Sequence, residues 1–193
     1  MLRLLLTRHG QSQWQVLGDE AGSDSALTEM GRRQANRLGG WLASNIQVDF
    51  IYASPLQRAR ETAQLVAAHL DLPVHLVQDL QEAWFFTSEE LPTFSTPLAA
   101  LDGRGSDHTR GTQVYQAFRS QVAQALRDIL DQHQEGTILI VAHVGTIATT
   151  IRLLLGSDAF TVNVNNTTLH SLAWNGKRWQ LEYIDRGHHL VDL

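Results

Sequence analysis

The sequence predicts an α/β layered domain, and three observations predict it. Short apolar runs at Leu2 to Thr7, Asp49 to Ala53 and Thr137 to Ala142 have the length and composition of strands buried on both faces. Segments with apolar residues at helical spacing lie between and after them. The resulting order, β-α-β-α-β and later α-β-α, is that of a sheet covered by helices. A chain of 193 residues fits one domain with room for an inserted lobe.

Each element has its own signal. Leu2 to Thr7 stops at Arg8-His9-Gly10, a polar loop at the end of a first strand. Thr28 caps a helix that carries Glu29 in its first turn, Met30, Ala35, Leu38, Trp41 and Leu42 on one stripe, and ends near Ser44-Asn45. After the second strand, Ser54-Pro55 reads as the cap and first residue of a helix running to about Leu70. A third strand is expected at Val74 to Val77, just beyond Pro73. Val114 to His133 has helical period, Thr137 to Ala142 is the most strand-like run of the chain, and Thr146 to Leu155 is an apolar helix closed by Gly156. Thr168 to Trp174 and Trp179 to Ile184 flank Asn175-Gly176, which predicts a hairpin. Trp84 to Gly111 has no period and reads as a long loop or lid, a length at which loops are usually functional.

Composition removes whole classes of function. Hydrophobic residues at 43% with 14 glycines are globular values and exclude global disorder. Fifteen Lys and Arg against 20 Asp and Glu, a net charge of −5, give no bulk affinity for nucleic acid or an anionic membrane, although a local basic cluster can still bind a small anion. The absence of cysteine excludes disulfides, thiolate metal sites and thiol nucleophiles. The N-terminal apolar run is too short and too charged for a signal segment, and no stretch approaches a membrane span, so a cytoplasmic protein is expected. No metal site is expected either: His188 and His189 are adjacent and lack a suitably spaced third ligand.

Chemistry-bearing residues cluster where ligands bind in α/β sheets, beyond the carboxyl ends of strands. Arg8 and His9 follow the first strand, Arg58 lies in the first turn of the helix after the second, and His143 follows Thr137 to Ala142. Two arginines and two histidines at three strand ends predict an anion pocket. The planar guanidinium fork suits tetrahedral oxygens, and helix N-termini near Arg58 and at Gly145 to Thr146 add backbone donors.

The segment Leu6-Thr7-Arg8-His9-Gly10-Gln11-Ser12-Gln13-Trp14 resembles the signature of the histidine phosphatase superfamily, the phosphoglycerate-mutase-like enzymes. Ala26 to Ala35, Ser54 to Ala63 and Ala142 to Gly145 are similar to its further motifs, in family order. The resemblance implies a three-layer α/β/α sandwich with a mostly parallel sheet, formed by residues 1–193 as one domain, with 84–111 as a lid insertion that sets specificity. It implies a histidine acid-type phosphatase: a metal-independent phosphoric monoester hydrolase, with no cofactor, acting on a small-molecule phosphate monoester. In that mechanism His9 attacks phosphorus and becomes phosphohistidine, Arg8, Arg58 and His143 hold the oxygens, and Glu82 protonates the leaving alkoxide. Asp79, Glu89 and Glu90 compete for the last role. The other ring nitrogen of His9 is expected to donate to a nearby carbonyl.

Departures from the family pattern fall around the pocket. Gln15 stands where an asparagine is common, Val144 replaces a glycine after the second histidine, and Trp84 to Glu90 replaces a Gly-Glu-aromatic stretch. Gln15 and Val144 are therefore assigned to the substrate-binding wall. The aromatic lid points to a phosphate carried on a partly apolar or aromatic body. A phosphoglycerate-mutase-type phosphoryl transfer is one alternative, with Arg104, His108 and Arg110 as the lid's cations; a catalytically silent phospho-ligand binding module is the other. A homodimer through the hairpin edge or the lid is an open arrangement.

Overall fold

The computed structural model of the chain describes residues 1–101 and 111–191. Its elements are β1 (Leu2–Arg8), α1 (Trp14–Leu17), α2 (Glu29–Asn45), β2 (Phe50–Ala53), α3 (Gln57–Leu70), β3 (Val74–Leu76), α4 (Pro97–Leu101), α5 (Gln113–Leu130), β4 (Gly136–Ala142), α6 (Val144–Leu155), β5 (Leu169–Trp174) and β6 (Trp179–Arg186). One sheet holds all six strands in the order β3-β2-β4-β1-β5-β6. The pairs β3-β2, β2-β4 and β4-β1 are parallel, whereas β1-β5 and β5-β6 are antiparallel. The hairpin with its Asn-Gly turn thus adds the antiparallel margin of the sheet.

Alternation along the central strands builds the layers. Leu4, Leu6, Ile138 and Ile140 join Phe118, Val122 and Ile129 of α5 and Ile147 and Ile151 of α6 in one core. Leu5, Ile51, Leu139 and Val141 join Leu38 and Leu42 of α2 and Ala59, Ala63 and Val66 of α3 in the other. Strands sandwiched this way have no polar face, which is why β1 and β4 read as continuous apolar runs. The three-layer α/β/α architecture is the expected one.

Several boundaries differ from expectation: α5 ends at Leu130 and not His133, α6 begins at Val144 and not Thr146, and β6 runs on to Arg186. The second helix does not begin at Ser54-Pro55: Leu56 is its N-cap and Gln57 its first residue. The extended ψ of Leu56 (137°) keeps the residues before Gln57 out of the helix, and the Ser54 hydroxyl accepts from the Leu56 amide (3.3 Å) in the preceding turn and lies 2.8 Å from the ring of His143.

The loop after β1 is set by a close approach of backbones. Gln11 and the α2 cap exchange contacts, Thr28 N–H donating to the Gln11 carbonyl at 2.9 Å and the Thr28 hydroxyl accepting from Gly31 N–H at 3.0 Å. A Cβ on Gly31 would collide with the carbonyl of Gln11, and one on Gly10 with the carbonyl of Gly31. Gly40, on the same helix, has open space around it. Gly31→Ala is therefore expected to cost about 1–3 kcal/mol, because the obstacle is backbone and cannot rotate away. Gly40→Ala should stabilise by roughly 0.5–1 kcal/mol through helix propensity. Urea unfolding of the two variants checks the opposite signs; equal effects would contradict the packing described.

Candidate active site

Strands β2, β4 and β1 are adjacent and parallel, so their carboxyl ends open on one edge of the sheet. His9 N–H donates to the Ala142 carbonyl (3.0 Å) and Ser54 N–H to the Val141 carbonyl (3.0 Å), which continues the ladder one residue past each strand. His143 follows β4 as the N-cap of α6, and its ring centroid lies 5.3 Å from that of His9. Arg58 reaches in from the first turn of α3, donating from Nε to His9 Nε2 at 3.2 Å and from a terminal nitrogen to the Ser23 carbonyl at 2.8 Å. Arg8 donates to the Val164 carbonyl at 3.1 Å, and its buried Nε has no partner among the described residues. The four predicted residues thus meet in one place.

The hydrogen bonds assign the state of His9. Its Nδ1 lies 2.7 Å from the Gly10 carbonyl, which can only accept, so Nδ1 carries the proton. Nε2 accepts from Arg58 and therefore presents a lone pair. Burial, reinforced by Arg8 and Arg58 against the Gly10 carbonyl, holds the pKa of His9 well below the ordinary histidine value. His143 is also held well below it, by burial first and then by His9, Arg58 and Arg8. The residues are 4% and 1% exposed, so both rings are neutral components of a cationic pocket.

Glu82 approaches from the loop after β3. Its carboxylate accepts from Ala83 N–H (3.0 Å) and Gly145 N–H (3.0 Å). Burial raises its pKa, outweighing the two amides and the attraction of Arg58 and Arg8. A Cβ on residue 145 would collide with this carboxylate, so Gly145 makes room for it. Of its competitors, Asp79 lies in the turn Gln78–Leu80, Glu89 is exposed, and Glu90 accepts from the Thr112 hydroxyl. Among these four acids, only Glu82 accepts from the amide of Gly145 at the start of α6.

Gln15 and Asn166 form a reciprocal amide pair with both contacts at 3.1 Å, and Asn166 also donates to the His9 carbonyl at 2.8 Å. Val144 opens α6 and is 40% exposed. Ser54, read in the sequence only as a helix cap, and Thr62 and Asn166, not singled out there, also belong to the site. Thr62 accepts from Gly10 N–H (3.0 Å) and donates to the Arg58 carbonyl (2.7 Å), which ties α3 to the His9 loop. Thr62 lay inside a recognised motif four residues after Arg58, whereas Asn166 sits in a loop whose local pattern carries no signal. The proposed lid cations Arg104, His108 and Arg110 lie outside the described residues.

A pocket of two guanidinium groups, two neutral imidazoles, a protonatable carboxyl group and the start of a helix can bind a tetrahedral anion, attack it and protonate what leaves. A profile of the histidine phosphatase superfamily (branch 1) matches residues 4–186. The chain belongs to this superfamily. It is 30% identical over the full length of both chains to a putative phosphoserine phosphatase 2 of Hydrogenobacter thermophilus. It is 29% identical over 169 residues, 82% of the chain and 81% of the relative, to the adenosylcobalamin/alpha-ribazole phosphatase of Escherichia coli. Among solved structures, a mutant phosphoserine phosphatase from Entamoeba histolytica in complex with phosphoserine superposes with a TM-score of 0.74 at 31% identity, covering 99% of this chain and 100% of that one. At this level the histidine phosphatase described here is a small-molecule phosphatase.

The neutral histidines make stability depend on pH. His9 and His143 are held far below the unfolded value of 6.5, and burial lowers His170 and His189 to about 4. Because the folded values lie below the unfolded ones, the folded state loses stability as pH falls below 6.5, by roughly 1.4 kcal/mol per pH unit for each group until its folded pKa is reached. Glu82, raised in the fold, works in the opposite direction but is one group against four. Urea unfolding at pH 7.5 and 5.5 should show a lower midpoint at 5.5; equal midpoints would contradict the neutral assignment.

Proposed function

We propose that the protein hydrolyses a small-molecule phosphate monoester without a metal or cofactor, through a phosphohistidine on His9. The observation that carries this reading is the state of His9: a neutral ring whose Nδ1–H donates to the Gly10 carbonyl and whose Nε2 lone pair accepts from Arg58. An entering phosphoryl group takes over the Arg58 Nε–H from Nε2, and Arg58, Arg8 and His143 hold its oxygens. Nε2 forms the bond to phosphorus as the ester P–O bond breaks, and protonated Glu82 gives its proton to the departing alkoxide. The Glu82 carboxylate then takes a proton from water as that water attacks phosphorus. Cleavage of the P–N bond returns neutral His9 and releases inorganic phosphate. Positioning and fixed cationic donors supply the stabilisation that such a transition state needs.

The reading extends to an acid-type phosphatase in a literal sense. Glu82 must be protonated for the first step, and its raised pKa supports turnover at acid to neutral pH with an alkaline limb where Glu82 loses its proton. Residues 84–111 are assigned as the specificity lid of a single domain, with Gln15 and Val144 on the rim of the substrate site. A groove of about 530 Å³ beside Glu82 is lined by Ala83, Trp84, Phe85, Val114 and Phe118 together with glutamine side chains. Its lining supports a leaving group with a flat, partly apolar body, such as a nucleoside-like alcohol, over a small zwitterion such as serine. The chemistry uses one chain and no disulfide or redox group, so a cytoplasmic setting belongs to the same proposal, and a homodimer through the free edge of β6 is compatible with it.

His9→Ala is expected to abolish turnover of p-nitrophenyl phosphate while leaving the circular dichroism spectrum unchanged; activity near that of the parent would overturn the mechanism. Glu82→Gln should slow hydrolysis of alkyl phosphates by about 10²–10⁴-fold, and of p-nitrophenyl phosphate far less, because nitrophenolate leaves without a proton. Equal slowing of both substrates would assign the proton to another group.

A further inference from the structure

We propose that Ser54 is a positioning residue that fixes the tautomer of His143: its hydroxyl donates to Nε2, so that the ring proton stays on Nδ1 as a donor for a phosphoryl oxygen. The role of the donor rests on the phosphatase reading, but the tautomer follows from hydrogen-bond accounting alone. Ser54 is fully buried directly after β2, and its amide is held by the Val141 carbonyl. The Leu56 amide donates to its Oγ at 3.3 Å, and Nε2 of His143 lies 2.8 Å away. Among the described residues, Nε2 is the only recorded acceptor for the hydroxyl proton.

The reverse arrangement fails on two counts. If Nε2 carried the proton and donated to Oγ, the hydroxyl proton would be buried without an acceptor. It would also leave Nδ1 as a bare lone pair, and Nδ1 is buried with no partner among the described residues. A lone pair there would repel the oxygens that Arg8 and Arg58 attract. With Ser54 as donor, both ring nitrogens have a defined use: Nε2 is occupied by protein, and Nδ1–H is left for the ligand.

The test is nitrogen-15 NMR of the whole protein with labelled histidine at pH 7.5, the His143 signals being assigned by their loss in His143→Asn. The wild type should show a protonated Nδ1 and an unprotonated Nε2. Ser54→Ala should shift the ring toward a mixture of tautomers and weaken binding of inorganic phosphate about tenfold, the size of one charge-assisted hydrogen bond. Ser54→Thr, which keeps the hydroxyl, should restore both. A protonated Nε2 in the wild type overturns the proposal even if Ser54→Ala does not fold, as does an Ala variant that keeps the wild-type tautomer and phosphate affinity. These readouts need no turnover, so a protein inactive on every monoester but showing Nδ1–H on His143 would refute the phosphatase reading and leave the role of Ser54 standing.

Discussion

A neutral imidazole held between the carbonyl of its own neighbour and a guanidinium is the constraint around which this molecule is arranged. His9 can be neutral and correctly turned only if the chain after β1 bends sharply enough to bring the Gly10 carbonyl to Nδ1 at 2.7 Å. That bend is possible because Gly10 and Gly31 let two backbones approach where side chains would collide. The bend is then held from three sides, by Thr62 on the Gly10 amide, by Gln34 on the Gln11 amide and by Asn166 on the His9 carbonyl. Three parallel strand ends supply the floor, and α3 delivers the guanidinium.

The electrostatics follow from placing these groups in little water. Burial, reinforced by the two arginines, keeps both histidine rings uncharged, while burial keeps Glu82 closer to its protonated form than an exposed carboxyl group would be. Fixed positive charge therefore resides on groups that do not titrate, and in the proposed mechanism the proton that moves sits on one that does. The support runs deep: fully buried Arg152 of α6 donates to the Phe160 carbonyl at 3.0 Å, anchoring the loop whose later residues present the Val164 carbonyl to Arg8 and Asn166 to His9.

Strands with two buried faces were legible in the sequence because β1 and β4 are uninterrupted apolar runs, and α2 because Thr28 caps a regular stripe. Arg8, His9, Arg58 and His143 were legible because each sits at a strand end or helix start, where position alone implies ligand contact. Glu82 needed the family resemblance, since several acids share its stretch and only the Gly145 amide separates them. The start of α3 lies two residues beyond the Ser-Pro cap signal because Leu56 keeps an extended ψ of 137°, and the role of Ser54 beside His143, 89 residues away, leaves no trace in local pattern. Asn166 was invisible for the same reason: its partners, Gln15 and His9, are distant in sequence, and local pattern carries no record of them.

The central claim is that Nε2 of His9 attacks phosphorus. Rapid acid-free quenching of the protein during turnover of a phosphorus-labelled monoester, in the presence of excess chelator, tests it directly. An alkali-stable, acid-labile phosphoryl group is expected on the peptide containing His9, formed and consumed at least as fast as the alcohol and phosphate appear. Turnover with no labelled histidine, or with the label on another residue, would contradict it.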